Sequence, residues 1–319
     1  MKFENQLNEL GKQKQPFLFY VDFEMHNPRV LLLGSSFPEN ILYDINGYTN
    51  TKPKKDSPAV NIQPAHVGFN SYLEAFNYVQ QEQRDGNSYL TNLTFKTALS
   101  SACSPEDIFH AATAKYKLCV KNEFVVFSPE SFVTIENKNI KTYPMKGTID
   151  ASVFNAEEVI LADAKEKAEH YTIVDLLRND LSMVAKQVRV NRFRYIDRIH
   201  TPARDLLQVS SEITGVLPDD YLNNLGTILC MLLPAGSVSG APKRKTLEII
   251  KTAEQRERGY YTGIAGIFNG ETLDTFVMIR FISRENSQLY YHSGGGITVN
   301  SMAEKEYQEM KDKIYVPTD

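Results

Sequence analysis

The stretch GIAGIFNGETLDTFVMIRFISRENSQLYYHSGGG, residues 263–296, decides the fold class that this sequence predicts. Its apolar runs at residues 263–268, 275–282 and 288–293 are rich in the branched and aromatic side chains that favour strands. Short segments of Gly, Asn and charged residues separate the runs, as they do in antiparallel meanders. The last third of the chain therefore predicts consecutive antiparallel strands.

Strand-like runs also precede this stretch, and helical patterns lie between them. The strand-like runs are at residues 17–23, 30–33, 90–93, 124–127 and 188–190, and helical periodicity occurs at residues 71–82, 156–177 and 303–314. The two kinds of element mix without a regular βαβ alternation, which argues against a parallel sheet. No repeat, low-complexity linker or proline-glycine hinge divides the chain. We predict an α+β fold with large antiparallel sheets, in a single domain over residues 1–319.

The composition is that of a globular protein, with 42% hydrophobic and 23% charged residues. The net charge of −4 argues against a nucleic-acid partner. The apolar run at residues 17–21 is too short for a signal-peptide core, and no stretch of about 18 apolar residues could span a membrane. We therefore expect a cytoplasmic protein. The three cysteines are far apart and form no C-x-x-C pattern, so we expect reduced, packing side chains.

Two pairs of glutamates lie at helical spacing. Glu166 and Glu169 are three residues apart and share one helix face. Near the C-terminus, Glu306 and Glu309 have the same spacing, and Lys313 continues their stripe. Hard oxygen ligands from two helices suit Mg²⁺. On spacing alone, however, a solvated acidic face is the more usual explanation for each pair.

The helix that carries the first pair is also expected to have a buried side. We predict an apolar stripe of Ala164, Ala168 and Tyr171 for that side. His170 directly follows Glu169 and so points away from the carboxylate face. We interpret His170 as a structural residue or as one that supports the site residues without contacting a ligand.

Two loops could approach an anion. Consecutive glycines at residues 294–296 let the backbone come close to a ligand and offer N–H groups, although a flexible turn is an equally good interpretation. The segment PAGSVSGAPK, residues 234–243, precedes a helical pattern but lacks the G-K-[ST] ending of a P-loop. Arg280 falls within the strand-like run 275–282, so we expect it either at an exposed edge or paired with a carboxylate, such as that of a substrate.

Lys146, in the segment YPMKGT, is ambiguous by its own chemistry. A lysine is a nucleophile only when neutral, and its reference pKa of about 10.4 requires burial or a neighbouring base to achieve this near pH 7. Glu130, sixteen residues upstream in the segment SPE, could be its acid-base partner if a turn brings the two together. Spacing alone favours an ordinary surface lysine.

Taken in order, seven blocks of this sequence resemble the family of chorismate-utilising enzymes, whose members form anthranilate, isochorismate, salicylate or aminodeoxychorismate. The blocks are SPE (128–130), PMKGT (144–148), KEKAEHYTIVDLLRNDLS (165–182), PAGSVSGAPKRKTLEII (234–250), RGYYTGIAG (258–266), residues 274–280, and GGGITVNSMAEKEYQEMKDK (294–313). The resemblance covers about residue 86 to residue 319, with residues 1–85 as a shortened N-terminal part of the same domain. It implies two large, mostly antiparallel sheets packed face to face with helices outside.

The resemblance also assigns roles to individual residues. It implies Mg²⁺ as the cofactor, bound by Glu169 and Glu309, with Glu166 and Glu306 in or near the same shell. The metal would hold the ring carboxylate of chorismate. The resemblance implies that Tyr261 and Arg280 bind the enolpyruvyl carboxylate, and that the backbone of Gly294, Gly295 and Gly296 lies against the same substrate. It implies electrostatic support from Lys313. Thr148 and Lys243 match motif residues with binding or structural roles.

The branch within the family is indicated at Lys146. Members that form anthranilate, isochorismate or salicylate carry a small residue there, whereas members that aminate chorismate at C4 carry lysine. The resemblance therefore implies that Lys146 adds at C2 while Glu130 protonates the departing C4 hydroxyl, and that ammonia then replaces the lysine. Leu90 stands where the water-using members have a lysine. The expected product is 4-amino-4-deoxychorismate, a precursor of 4-aminobenzoate and folate.

No cysteine lies in a glycine-rich elbow that would indicate a glutaminase, so we expect a separate glutamine amidotransferase subunit to supply the ammonia. Two alternatives stay open at this point. One is anthranilate formation by the same fold. The other is a chorismate-binding subunit that has no catalytic activity of its own.

Overall fold

The computed structural model describes residues 2–34, 36–52, 59–199 and 205–318. In these residues two nine-stranded sheets form, and every described strand pairing is antiparallel. The first sheet contains β1 (Phe17–Val21), β2 (Arg29–Leu32), β9 (Ser131–Glu136), β10 (Asn139–Thr142), β11 (Met145–Asp150), β12 (Lys186–Ile199), β13 (Leu206–Val216), β15 (Ile264–Phe268) and β16 (Leu273–Val277). The second contains β3 (Ile41–Ile45), β4 (Tyr48–Thr49), β5 (Gln63–Ala65), β6 (Leu90–Ser100), β7 (Tyr116–Val120), β8 (Phe124–Ser128), β14 (Gly240–Ala241), β17 (Phe281–Glu285) and β18 (Gln288–Ile297).

The two sheets pack face to face, and β1 shows why its sequence is apolar at every position. Leu18 and Tyr20 lie in a core shared with β3, β7 and β8 of the second sheet. Phe17 and Phe19 point the other way, into a core formed with the outer helices. Strands covered on both faces read as continuous apolar runs. The prediction of an α+β fold with two large antiparallel sheets is confirmed.

Helices cover the outer faces of the sheets. They are α1 (Phe3–Lys12), α2 (Phe69–Arg84), α3 (Pro105–Ala111), α4 (Ala156–Ala162), α5 (Ala164–Ser182), α6 (Leu225–Leu232), α7 (Gly236–Ser239), α8 (Lys243–Glu254) and α9 (Ala303–Asp312), with a 3₁₀ turn at Tyr221–Asn224. The sequence patterns missed α1, α3, α6 and α7. A capping box at Ser104 and Asp107, with Pro105 between them, is the local signal that could have indicated α3.

The helix predicted over residues 156–177 is wrong as a single element. Asp163 separates α4 from α5, because its side chain accepts a hydrogen bond from the Glu166 backbone and so begins a new helix. The predicted apolar stripe is also wrong, since Ala164, Ala168 and Tyr171 are exposed. The buried side of α5 carries instead His170, Ile173, Val174, Leu177, Asp180 and Leu181.

The strand predicted over residues 275–282 is likewise wrong as one element. β16 belongs to the first sheet and β17 to the second, so the chain crosses between the sheets at residues 278–280. A second crossover joins β8 to β9 at residues 129–130. The two crossovers are hydrogen-bonded to each other: the Val277 N–H donates to the Glu130 carbonyl, and the Phe127 N–H donates to the Arg280 carbonyl, both at 3.1 Å. Glu130 and Arg280 are therefore placed side by side.

The cysteines and the apolar helices belong to the packing of the fold. Cys103, Cys119 and Cys230 are all free thiols. One helical stretch, Tyr221–Ser239, has the length and composition of a membrane span. Half of it is buried inside the protein, and its leucines lie in the core beneath the first sheet. It does not indicate a membrane protein.

Candidate active site

A cavity of about 520 Å³ opens beside the two crossovers. Residues from distant parts of the sequence meet in its wall. It is lined by twelve of the predicted site residues: Glu130, Lys146, Thr148, Glu166, Glu169, Tyr261, Arg280, Gly294, Gly295, Gly296, Glu309 and Lys313. Concave sites with a few convergent polar groups are where small molecules bind.

Lys146 reaches the cavity from an irregular part of β11. The pairing of β11 with β13 shifts register between Met145 and Thr148, and Gly147 between them has φ 92°. The bulge favours glycine because of this backbone conformation, and a Cβ at Gly147 would also lie 3.2 Å from a carboxylate oxygen of Glu166. This geometry directs Lys146 toward the carboxylates of α5.

The Lys146 ammonium forms an ion pair with Glu169. Its Nζ lies 2.7 Å from Glu169 Oε2. Burial by itself would lower the pKa of Lys146, but the carboxylates of Glu169, Glu309 and Glu166 together raise it. In this arrangement Lys146 is protonated, and its proton must leave before the amine can act as a nucleophile.

The carboxylates of α5 and α9 converge on one region. Lys165 Nζ lies 3.6 Å from Glu169 Oε1 and 3.7 Å from Glu306 Oε1, so a single cation already bridges the two helices. A Cβ at Gly295 would lie 3.8 Å from an oxygen of both Glu306 and Glu309. Burial raises the pKa of Glu306 and of Glu166, and in each a neighbouring glutamate adds to the rise. The cluster therefore has a strong preference for positive charge.

This donor set fits a hard divalent cation by its chemistry. Lys165 pairs with one carboxylate from each helix, Glu169 and Glu306, and the charges of Glu166 and Glu309 also act on its ammonium. Among the residues that the structure describes, no three acidic, histidine or cysteine side chains lie close enough together to coordinate a metal. The residues that would hold Mg²⁺ are Glu169 and Glu309, with Glu166 and Glu306 beside them.

Glu130 lines the cavity from the crossover between β8 and β9. Its Oε1 accepts a hydrogen bond of 2.6 Å from Ser237 Oγ, at the start of α7. Burial raises the pKa of Glu130, and the Ser237 hydrogen bond and the charges of Lys313 and Arg280 only partly offset this. A carboxyl group with a raised pKa keeps its proton to higher pH, as a general acid requires.

Arg280 is not part of a strand, and among the described contacts it has no carboxylate partner within the protein. It lies in the crossover with φ 52°, and its Nη1 donates to the Lys313 carbonyl at 3.1 Å while its guanidinium lies 4.9 Å from the ring centre of Tyr315. The buried Tyr261 lines the same wall. Because the described contacts give Arg280 no carboxylate partner, its charge is available to an anionic ligand.

The glycine segment lines the cavity along an unpaired strand edge. The pairing of β18 with β17 ends at His292 opposite Phe281, whereas β18 continues to pair with β6 through Ile297. A Cβ at Gly294 would lie 2.2 Å from the Leu93 carbonyl, so only glycine fits there. Lys313 Nζ binds both the Gly294 carbonyl and Glu309 Oε1, at 2.9 and 2.7 Å. Burial lowers the pKa of Lys313.

Two predicted residues lie outside the cavity lining. Lys243 Nζ donates to the Leu232 carbonyl at 3.0 Å and lies 3.3 Å from Asp180 Oδ1, so it ties α8 to α5 and α6. Of the two roles considered for Lys243, binding and structural, its position fits the structural one and gives no support for substrate contact. Glu306 is buried behind Gly295, beside the cavity.

Sequence reasoning overlooked several polar residues in the lining. Asn92, Gln208, Ser237, Thr262 and His292 all face the cavity. Ser237 belongs to a segment singled out as an anion loop, so the segment was noticed but the residue that binds Glu130 was not. Thr262 belongs to the quoted block 258–266 but was not singled out. Asn92, Gln208 and His292 stand in strands, and only the tertiary fold brings them together.

His170 has the structural position expected for it. It is fully buried, and its Nε2 is 2.7 Å from Ser211 Oγ. Burial lowers its pKa to about 4, so it is neutral near pH 7 and braces α5 against β13.

Residues 11–319 match the family described as chorismate binding enzymes. This chain belongs to that family. It is 51% identical to a protein of Haemophilus influenzae named as an uncharacterized PabA-like protein, over 99% of this chain and 96% of that one. It is 31% identical to aminodeoxychorismate synthase component 1 of Escherichia coli, over 82% of this chain and 60% of the relative.

The fold of this chorismate binding enzyme is shared with a solved structure of different named activity. The crystal structure of anthranilate synthase component I from Streptococcus pneumoniae matches with a TM-score of 0.66 and 24% identity, over 81% of this chain and 59% of that chain. A fold common to enzymes with different products does not determine the product. The product must be inferred from the residues of the site.

Proposed function

We propose that this chain is component I of an aminodeoxychorismate synthase. In this proposal it aminates chorismate at C4 with ammonia, in a magnesium-dependent reaction, and releases 4-amino-4-deoxychorismate for 4-aminobenzoate and folate synthesis. The observation that carries the proposal is the position of Lys146 inside the cavity, 2.7 Å from Glu169 and on the same wall as Thr148.

The proposed reaction has two displacement steps. After the Lys146 ammonium has given a proton to solvent, its neutral Nζ forms a bond to C2 of the ring while the ring double bonds shift and the C4–O bond breaks. Glu130 gives its proton to the departing hydroxyl, which leaves as water. Ammonia then forms a bond to C4 and the C2–Nζ bond breaks, which returns the lysine. Both steps are balanced without an oxidant or reductant.

The other residues of the wall position the substrate. Arg280 supplies a guanidinium that has no carboxylate partner among the described contacts, and it would bind the enolpyruvyl carboxylate next to Tyr261. The free edge of Gly294–Gly296 lets the ring lie against the backbone. A Mg²⁺ ion held by Glu169 and Glu309 would bind the ring carboxylate and offset the negative charge that keeps Lys146 protonated.

A pH profile tests the role of Glu130. Since Glu130 acts in its protonated form, turnover at constant ammonia should fall as pH rises through its raised pKa. Ser237→Ala removes a hydrogen bond that lowers this pKa. The falling limb of kcat should therefore move to higher pH in the variant, and an unmoved or lower limb would contradict the assignment.

The source of ammonia tests the proposal as a whole. The purified chain should form 4-amino-4-deoxychorismate from chorismate, Mg²⁺ and high ammonium. The rate of this reaction should increase with rising pH until other groups titrate. With glutamine in place of ammonium, the chain should form no product. Adding the glutamine amidotransferase subunit of an aminodeoxychorismate synthase should allow turnover at low ammonium, because a docked partner raises the local ammonia concentration. Coupling to a lyase and measuring 4-aminobenzoate gives the rate. Efficient glutamine use by the chain alone would refute the two-subunit arrangement.

The same assay separates the alternatives. Anthranilate is fluorescent and requires no added lyase, so its appearance would place this chain in the anthranilate branch. A subunit that only binds chorismate would give no product with ammonium, whereas the proposal requires turnover.

A further inference from the structure

A buried ion pair supports the wall of the catalytic cavity without lining it. Arg258 Nη2 lies 2.6 Å from Glu254 Oε1, and both side chains are almost completely inaccessible to solvent. Replacing a buried ion pair by apolar residues often leaves stability unchanged or improves it. Stability alone therefore does not explain the pair, and the contacts of its guanidinium indicate another role.

The Arg258 guanidinium holds three separate segments of the cavity wall. Nη1 donates to the Val238 carbonyl and Nη2 donates to the Asn92 carbonyl, both at 2.7 Å. Nη1 also reaches Thr262 Oγ1, at 3.3 Å. These three partners all line the catalytic cavity, and they belong to α7, to β6 and to the segment before β15. A planar guanidinium with several fixed N–H donors can join three segments in one geometry.

Glu254 fixes the orientation of this guanidinium. Its Oε2 accepts from Arg258 Nε at 3.1 Å, and its Oε1 accepts from Arg258 Nη2 at 2.6 Å. Glu254 Oε1 also accepts from the N–H and the hydroxyl of Thr94, both at 2.9 Å, so it is anchored to β6. The Arg258 backbone is held as well, because its N–H donates to Glu24 Oε1 at 2.8 Å. The protein alone therefore fixes Arg258, with no contribution from a substrate.

The contact with Val238 matters most for the chemistry, because α7 presents Ser237 to Glu130. This helix has only one turn, so the carbonyl groups at its end have no partner within it. Arg258 supplies a partner at this end, whereas Asp180 accepts a hydrogen bond from the backbone at the start. Ser237 lies between the two attachments, and its Oγ donates to Glu130 Oε1 at 2.6 Å. The position of that hydroxyl thus depends on Arg258.

The contact with Thr262 supports a second part of the wall. Thr262 directly follows Tyr261, which lines the cavity. The Thr262 hydroxyl donates to the Tyr261 carbonyl at 2.6 Å and accepts from Arg258. The same guanidinium therefore holds the partner of the general acid and a residue proposed to bind the enolpyruvyl carboxylate.

We propose that Arg258 is a positioning residue for the amination: by holding α7 it keeps the Ser237 hydroxyl on Glu130, so that the general acid faces the departing C4 hydroxyl. This inference rests on the proposed function. Arg258 does not line the catalytic cavity, so its effect must pass through residues that do. Of these, Ser237 is the one in contact with the acid.

Arg258→Lys tests this role. The variant keeps a positive charge beside Glu254, but a lysine cannot bind the Val238 and Asn92 carbonyls with one rigid fork. Measured at saturating chorismate, Mg²⁺ and ammonia, kcat should fall about tenfold or more, because the general acid is no longer aligned. Saturation removes any change that is confined to substrate binding.

The pH profile separates this role from a general loss of structure. The charges that act on Glu130 are those of Lys313 and Arg280, and Arg258→Lys changes neither. The Ser237 hydrogen bond lowers the pKa of Glu130, so weakening this bond raises that pKa further. The falling limb of kcat should therefore move to higher pH, in the same direction as in Ser237→Ala.

Combining the two substitutions tests whether Arg258 acts through Ser237. In the Ser237→Ala background, Arg258→Lys should lower kcat by less than about threefold further and should leave the falling limb where it is. Arg256→Lys is the matched control. Arg256 also lies beside Glu254, at 3.6 Å, but its described hydrogen bonds and ion pairs include no residue that lines the catalytic cavity. Its substitution should keep kcat within about twofold of wild type, with an unmoved limb.

Thermal unfolding and near-UV circular dichroism verify that each variant folds. If Arg258→Lys does not fold, the double variant Glu254→Gln with Arg258→Gln leaves no lone buried charge, and the same changes in kcat and limb are expected. A folded Arg258 variant with the wild-type kcat or an unmoved limb would overturn the inference, as would effects that add fully to those of Ser237→Ala. A wild-type chain that binds chorismate but forms no aminated product would refute the proposed function, and this inference with it.

Discussion

Lys146→Ala is expected to lower kcat for amination by more than about a thousandfold, because the variant loses the atom that bonds to C2. Its free energy of unfolding should stay within about 1 kcal/mol of wild type, since Lys165 still pairs with Glu169. The measurements are 4-aminobenzoate formation in the coupled assay and urea unfolding of the same preparations.

Two variants separate the loss of a nucleophile from the loss of a charge. Lys146→Arg keeps a cation beside Glu169 but has no nucleophilic amine, so it should be as inactive as Lys146→Ala. Lys165→Ala removes another ammonium from the same glutamate, yet Lys165 does not line the cavity, so it should keep activity within about tenfold. An active arginine variant would show that Lys146 acts only through its charge.

Glu169→Gln and Glu309→Gln are each expected to reduce Mg²⁺-dependent turnover by about a hundredfold or more, because an amide is a poor replacement for a charged hard ligand. The two residues lie on different helices, α5 and α9, so their loss weakens the cluster from opposite sides. Titration of activity with Mg²⁺ should show a higher concentration for half-maximal rate, a lower maximum, or both.

Glu304→Gln is the matched control for this pair. Glu304 is on α9 with Glu309 but is exposed, so its substitution should leave the Mg²⁺ titration unchanged. If Glu169→Gln or Glu309→Gln gave the same Mg²⁺ titration as Glu304→Gln, the substituted glutamate would not be a Mg²⁺ ligand.

Much of the fold could be predicted because its signals are local. The composition and length of the apolar runs indicated β1, β8 and β15, and the spacing of Glu166 and Glu169 put them on one helix face. The break at Asp163 was missed because a single capping residue interrupts a helical pattern without changing its composition. The crossover at residues 278–280 was missed because the sequence remains apolar while the chain changes sheets.

The site was predicted less completely because its contacts are tertiary. Motif residues such as Lys146, Arg280 and Lys313 meet in one cavity, but their partners could not be read from spacing. Arg280 binds a carbonyl of the C-terminal helix end, and Lys243 is committed to Asp180. The protonated state of Lys146 was also hidden, since it depends on glutamates from two distant helices.

The most direct test of the central claim is mass spectrometry of the product formed from chorismate and ¹⁵N-ammonium, with and without Mg²⁺. The account predicts a Mg²⁺-dependent product that contains the ¹⁵N label and retains the enolpyruvyl group, namely 4-amino-4-deoxychorismate, and none from Lys146→Ala. A labelled product that has lost pyruvate, or an unlabelled isomer of chorismate, would contradict it.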